Sequence, residues 1–107
     1  MKILIADDDH DLLALIGFTL AQAGYMVVKA SDGAAAIKSF VDESPDLVIL
    51  DINLPGMDGF EVCRRLRAHA ALAEVPVIML TALDDRDSRL HGIEAGADDF
   101  ISKPYDR

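Results

Sequence analysis

Short apolar runs that end in polar residues alternate with stretches of helical spacing, and this pattern constrains the fold most. The first run, residues 3–6, is followed directly by three aspartates. Residues 47–50 form a continuous apolar run, which indicates a strand buried on both faces of a sheet. Residues 25–30 and 75–80 predict two more strands, and residues 99–102 predict a short fifth one.

Helices are predicted between these strands. Apolar residues three and four positions apart predict the first helix over residues 12–23, with Asp9 as its N-cap and Gly24 at its end. Ser31 or Asp32 is expected to cap the second helix. The side chains that the second helix is expected to bury are Ala36, Ile37, Phe40 and Val41.

The third and fourth helices differ in how well the sequence marks them. Asp58 followed by Glu61 resembles a capping box, which opens a helix through Leu66. Residues 85–95 predict a weaker helix, because few apolar residues could face the core. Those residues are Leu90, Ile93 and Ala95.

Strands that alternate with helices predict an α/β fold, in which a five-stranded parallel sheet has helices on both faces. With 107 residues, of which 51 % are hydrophobic, the chain can form one core, so we expect one domain over residues 1–107. Too few residues follow Pro104 to form a helix that would cover the last strand. We therefore expect the N-terminal part of a longer protein.

Composition excludes several classes of function. A net charge of −9 repels phosphate backbones and argues against direct nucleic-acid binding. No apolar run approaches the roughly 18–20 residues of a membrane-spanning helix. The single cysteine, Cys63, allows neither an internal disulfide nor a zinc site, which fits a cytoplasmic protein, and we expect it as a core or boundary residue of the third helix.

Polar residues follow the ends of four predicted strands. These residues are Asp7, Asp8 and Asp9 after the first strand, Asp51 after the third, Thr81 after the fourth and Lys103 after the fifth. Ligands of an open α/β sheet bind beyond the carboxyl ends of its strands, so these groups should converge at one edge. Each has an ordinary role as a turn former, helix cap or solvated residue, but their joint placement favours a site.

Carboxylates at close quarters repel one another unless a cation lies between them. Mg²⁺ binds one or two carboxylates together with water and phosphate oxygens. An aspartate beside such a cation and Lys103 can attack phosphorus to give an aspartyl phosphate, while Thr81 donates to a phosphoryl oxygen. The residues therefore favour carboxylate phosphorylation over acid–base hydrolysis.

The sequence resembles the receiver domain of two-component response regulators, and the resemblance covers the whole chain. Residues 3–9 resemble the first strand and acidic pair of that family, and residues 47–59 resemble the segment with the phosphoacceptor. Residues 76–82 resemble the fourth strand with its threonine, and residues 96–105 resemble the closing block. The resemblance implies a flavodoxin-like sheet of order 2-1-3-4-5.

The resemblance also implies a role for each acidic residue. Asp51 would accept a phosphoryl group from a phosphohistidine. Asp8 and Asp51 would bind Mg²⁺ (or Mn²⁺) through their side chains, Asn53 through its main-chain carbonyl and Asp7 through water. The domain would then be a signalling module that catalyses its own phosphorylation and dephosphorylation, and not an enzyme of metabolism.

The resemblance of residues 76–82 and 96–105 to the same family implies further roles. Thr81 and Lys103 would bind phosphoryl oxygens, and Phe100 would be an aromatic side chain that rotates inward when Thr81 moves. The bond between Lys103 and Pro104 would be cis. Leu83, like Asn53, would influence the lifetime of the phosphoryl group.

The expected partners are a sensor histidine kinase or phosphotransfer protein, and an output domain or downstream protein. Apolar surface beside the fifth strand would favour a homodimer or another covering partner. We expect contact neither with nucleic acid by this domain nor with a membrane.

Two other functions compete with this interpretation. Asp7 and Asp9 have the Asp-x-Asp spacing of haloacid-dehalogenase-type phosphatases, but Asp11 stands where that family has Thr or Val. A receiver-like domain that only docks a partner is the second alternative. Nucleotide binding is disfavoured, because the chain has neither G-x-G-x-x-G nor a Walker A motif.

Overall fold

Five strands and four helices alternate along the chain in the computed structural model, which describes residues 1–70, 73–81 and 86–102. The strands are β1 (Lys2–Ala6), β2 (Met26–Ala30), β3 (Leu47–Asp51), β4 (Val77–Thr81) and β5 (Asp99–Ser102). The helices are α1 (His10–Gln22), α2 (Gly33–Glu43), α3 (Gly59–Ala68) and α4 (Arg86–Ala95). None of the helices in the described ranges is long and apolar enough to cross a bilayer.

The strands form one parallel sheet of order β2-β1-β3-β4-β5. This order confirms the predicted α/β fold. The chain leaves β1 for the edge strand β2, returns to β3 on the other side of β1, and then proceeds outward. The carboxyl ends of β1 and β3 are therefore neighbours at the point where the order reverses, which is where open α/β sheets bind ligands.

Aspartates cap the first three helices: Asp9 and Asp58 as the sequence predicts, and Asp32 where the sequence left Ser31 or Asp32 open. Asp9 accepts hydrogen bonds from the N–H groups of Asp11 and Leu12, and Asp32 accepts one from Ala35. Asp58 accepts from the N–H of Glu61 at 2.9 Å. The other half of the predicted capping box, a hydrogen bond from the N–H of Asp58 to the Glu61 carboxylate, is not seen in the described chain. That carboxylate instead accepts from arginines of its own helix. Hydrogen bonds from Arg65 and Arg64 lower the pKa of Glu61.

The sheet has a hydrophobic core on each face, because side chains of a strand alternate between faces. Leu4 and Ala6 of β1 lie in one core, and Ile3 and Ile5 lie in the other. The first core also contains Phe40 of α2, and the second contains side chains of α1. Both faces of β3 are buried, which confirms the interpretation of its continuous apolar run.

Three side chains expected in the core are instead exposed. Val41 of α2 is 44 % exposed, and Leu90 and Ile93 of α4 are each 60 % exposed. Among residues 89–95 of α4, whose burial the structure describes, the buried positions are Gly92 and Ala95. A Cβ atom on Gly92 would lie 2.6 Å from the Phe100 ring, so this helix packs closely through small residues and its larger apolar residues point outward.

Candidate functional site

Three aspartates from two neighbouring strands meet at the carboxyl edge of the sheet. Asp7 follows β1, and Asp51 is the last residue of β3, whose Leu50 is paired with Ala6 of β1. One carboxylate oxygen from each of Asp7, Asp8 and Asp51 lies within 4.8 Å of the others. Asp7 and Asp51 are buried, whereas Asp8 is exposed. The structure thus brings together the three acids predicted as metal ligands.

Main-chain hydrogen bonds orient these acids. The N–H of Asp7 donates to the carbonyl of Ala30 at 3.1 Å, and its Oδ1 accepts from the N–H of Asp9 at 3.0 Å. Asp51 Oδ1 accepts from the N–H of Asn53 at 3.3 Å, so the main chain of Asn53 lies beside the cluster. Asp9 caps α1, which confirms its structural role.

The ligand atoms of this cluster suit a hard divalent cation. Three carboxylate oxygens at such short separations repel one another, and a cation between them removes that repulsion. Mg²⁺ and Mn²⁺ prefer oxygen ligands, and Mg²⁺ keeps several waters, which the exposed position of Asp8 allows. The residues present therefore fit the predicted metal.

Thr81 lies on the other side of Asp51. It ends β4, where the register pairs Asp51 with Leu80 and Thr81 with Ser102. Thr81 is 1 % exposed, and its Oγ1 has no hydrogen-bond partner among the described residues. A buried hydroxyl without a partner costs free energy, and a bound oxygen would supply that partner. This geometry fits the predicted contact between Thr81 and a phosphoryl oxygen.

Several predicted features lie outside the described residues. These are Lys103, the bond between Lys103 and Pro104, and Leu83. Phe100 is described, and its ring is partly buried against Gly92 of α4. The guanidinium carbon of Arg89 lies 5.9 Å from the ring centroid, a distance typical of a cation–π contact.

Cysteine and histidine play no part in this cluster. Cys63 is buried in the core, as predicted, and burial raises the pKa of its thiol. His10, His69 and His91 are exposed. His69 lies edge-on to Phe40, and His91 lies edge-on to Phe60.

Sequence reasoning does not single out two glycines at the site. Gly59 opens α3 directly against the main chain of Asp51, and Gly33 opens α2 against Met57. The single sequence signal is that each glycine follows a capping aspartate. That signal predicts a helix start but not which backbone the helix contacts.

Comparisons with known proteins agree with this geometry. A family model described as response regulator receiver domain matches residues 3–107. The alkaline phosphatase synthesis transcriptional regulatory protein PhoP of Bacillus subtilis is 43 % identical over 104 residues, which cover 97 % of this chain and 42 % of PhoP. The DNA-binding dual master transcriptional regulator RpaA of Synechocystis is 45 % identical over 105 residues, which cover 98 % of this chain and 44 % of RpaA. The chain thus spans about two fifths of the length of these relatives.

Solved structures have the same fold. Chemotaxis response regulator CheY4 of Vibrio cholerae superimposes with a TM-score of 0.92 at 31 % identity, covering 98 % of this chain and 88 % of CheY4. The BeF3-activated N-terminal receiver domain of RstA from Klebsiella pneumoniae has a TM-score of 0.89 at 37 % identity, with 98 % and 87 % of the two chains covered. The chain therefore belongs to the response regulator receiver domain family.

Proposed function

We propose that Asp51 accepts a phosphoryl group from a phosphohistidine of a sensor kinase or phosphotransfer protein, in a Mg²⁺-dependent reaction. The observation that supports this most is the position of Asp51. Its strand lies between the strand that leads to Asp7 and Asp8 and the strand that ends at Thr81. Asp51 thus has the other proposed metal ligands, Asp7 and Asp8, on one side and the buried hydroxyl of Thr81 on the other.

The side chains divide the reaction between them. Asp7, Asp8 and Asp51, with the carbonyl of Asn53, would hold a Mg²⁺ or Mn²⁺ ion, which neutralises charge on the transferring phosphoryl group. A carboxylate oxygen of Asp51 forms a bond to phosphorus while the phosphorus–nitrogen bond to the donor imidazole breaks, and the imidazole leaves with a proton. The Thr81 hydroxyl donates to one phosphoryl oxygen. From its sequence position after β5, Lys103 would pair with another.

The family assignment argues against the phosphatase alternative. Receiver domains are signalling domains and not metabolic enzymes. A dehalogenase-type enzyme would place its nucleophile after β1, whereas the acid whose strand lies between β1 and the strand that ends at Thr81 is Asp51, at the end of β3. We therefore assign the aspartyl phosphate chemistry to a signalling domain that catalyses its own phosphorylation.

Response regulators interact with histidine kinases and carry output domains. The relatives above are transcriptional regulators, so we propose that phosphorylation of this domain controls an attached output domain or a downstream protein. The net charge of −9 supports a domain that does not itself bind nucleic acid.

Exposed apolar side chains on α4 and β5 support a homodimer or another covering partner; they are Leu90, Ile93 and Ile101.

Asp51→Asn is expected to abolish phosphorylation and to keep the fold, because the amide is similar in size but cannot form the acyl phosphate. Intact mass after incubation with Mg²⁺ and acetyl phosphate measures this directly. Wild type should gain one phosphoryl group, as should Asp42→Asn, a variant at an exposed acid of α2. Wild-type labelling of Asp51→Asn would contradict the assignment. A folded wild type that gains no mass would favour the domain that only docks a partner.

Asp8→Ala is expected to weaken Mg²⁺ binding at least tenfold, which is about 1.4 kcal/mol. Asp8 is exposed and supplies one of the three clustered oxygens, so its removal takes a ligand without opening the core. Isothermal titration with MgCl₂ measures the affinity, and Asp42→Ala is the matched exposed control. An unchanged dissociation constant in Asp8→Ala would exclude Asp8 as a ligand.

A further inference from the structure

The segment between β3 and α3, residues 52–58, links Asp51 to the next helix and carries Asn53. We call it the β3–α3 loop. The side chains of Ile52 and Leu54 are buried in the core, and Asp58 caps α3 at its far end. The loop therefore carries one proposed metal ligand and adjoins the phosphoacceptor. Whatever fixes this loop also fixes both groups.

Gly59 brings the start of α3 into direct contact with the main chain of Asp51. Its N–H donates to the carbonyl of Ile52 at 2.7 Å. A Cβ atom at this position would lie 2.3 Å from the carbonyl oxygen of Asp51 and 2.9 Å from Cα of Ile52. These are backbone atoms, which cannot swing aside as a side chain can. The helix can approach this closely because residue 59 has no side chain.

Gly33 makes a similar contact with the same loop. It is the first residue of α2, and a Cβ atom there would lie 2.6 Å from the carbonyl oxygen of Met57. The same Cβ would lie 2.7 Å from Cβ of Met57. The β3–α3 loop thus contacts the first residues of two helices, with no side chain of either glycine in between.

We propose that Gly59 and Gly33 are positioning residues for phosphoryl transfer. Their missing side chains let α3 and α2 press against the β3–α3 loop, and this contact sets the position of the Asp51 carboxylate and the Asn53 carbonyl. The inference rests on the proposed function, since it concerns the same site. A displacement of roughly 1 Å at a reacting group can cost about a hundredfold in rate. A methyl group on Gly59 requires a shift of that order.

The test compares Gly59→Ala with Gly17→Ala. Gly17 is a buried glycine within α1, and a Cβ atom there would meet Lys29 Cε at 2.7 Å, the far end of a flexible side chain. Both variants add one methyl group to a helix, but only the first pushes on Asp51. We expect Gly59→Ala to bind Mg²⁺ at least tenfold more weakly and, at saturating Mg²⁺ and acetyl phosphate, to phosphorylate about a hundredfold more slowly. Gly17→Ala should keep the wild-type affinity and rate.

These readouts separate positioning from a purely structural role. A folded Gly59→Ala with a lower melting temperature but wild-type Mg²⁺ affinity and rate would overturn the inference. If Gly59→Ala does not fold, Gly33→Ala decides in the same assays, because it presses on the same loop from α2, and wild-type values there would overturn the inference. A folded wild type that binds no Mg²⁺ and takes up no phosphoryl group would instead overturn the proposed function.

Discussion

Replacing Arg67 by methionine is expected to lower the free energy of unfolding by about 2–4 kcal/mol, because several acceptors lose their donor at once. Arg67 Nη1 donates to the carbonyls of Ala73 and Val75. Its Nε and Nη2 donate to the carbonyl of Gly96, and Nη2 also donates to Asp98 at 2.6 Å. One side chain thus joins the end of α3 to the segments that precede β4 and β5.

The carbonyl contacts of Arg67 matter more than its ion pair. Asp98 is 56 % exposed, so water screens its attraction to Arg67 and the pair alone contributes little. The contacts to carbonyl oxygens are partly buried, and those oxygens would be left without this donor. The Asp98 carboxylate also accepts from the N–H of Val77 in β4. Arg67 therefore helps to position Asp98, which precedes β5 and links it to β4.

Chemical denaturation of Arg67→Met beside Arg64→Met measures this difference. Both arginines are on α3, but Arg64 pairs only with exposed Glu61 among the described residues, and its loss should barely change stability. Methionine keeps an apolar stem of similar length, so the comparison isolates the guanidinium. Hydrogen exchange should accelerate first around β5. Equal midpoints for the two variants would show that the carbonyl contacts of Arg67 contribute nothing measurable.

The sequence predicts the sheet and its site well because both depend on local signals. A continuous apolar run identifies β3 as a buried strand, and Asp51 follows from where that run ends. Capping aspartates mark the starts of the first three helices. The convergence of Asp7, Asp8 and Asp51 then follows from parallel pairing once β1 and β3 are neighbours in the sheet. The strand order came from the family resemblance, since alternation of strands and helices fits several orders.

Prediction from the sequence fails where packing between distant segments determines which side chains are buried or in contact. Apolar periodicity places Leu90 and Ile93 of α4 in the core, yet the helix packs through Gly92 and Ala95. That orientation depends on the Phe100 ring, which lies on another element. The contact between Gly59 and the Asp51 carbonyl is of the same kind. The hydrogen bonds of Arg67 are also contacts between distant segments. Their acceptors are main-chain carbonyls, which every residue has, so the sequence does not indicate which ones Arg67 contacts.

Phe40→Ala is expected to lower the free energy of unfolding by about 3–5 kcal/mol, the range for truncating a buried aromatic side chain. Phe40 is 0 % exposed and is among the largest fully buried side chains in the described part of the chain. Its neighbour Val41 has the same predicted burial but is 44 % exposed, so Val41→Ala should change stability by less than about 0.5 kcal/mol.

Urea denaturation of the two variants tests the observed orientation of α2 against the one that periodicity predicts. Both lie in the interior of one helix, so propensity effects are small beside the burial difference. The lost free energy has two sources, since truncation of Phe40 removes apolar contact area and leaves a cavity under the sheet. A loss at Val41 as large as that at Phe40 would mean that α2 is rotated towards Val41, and the core on that face of the sheet would have to be reassigned.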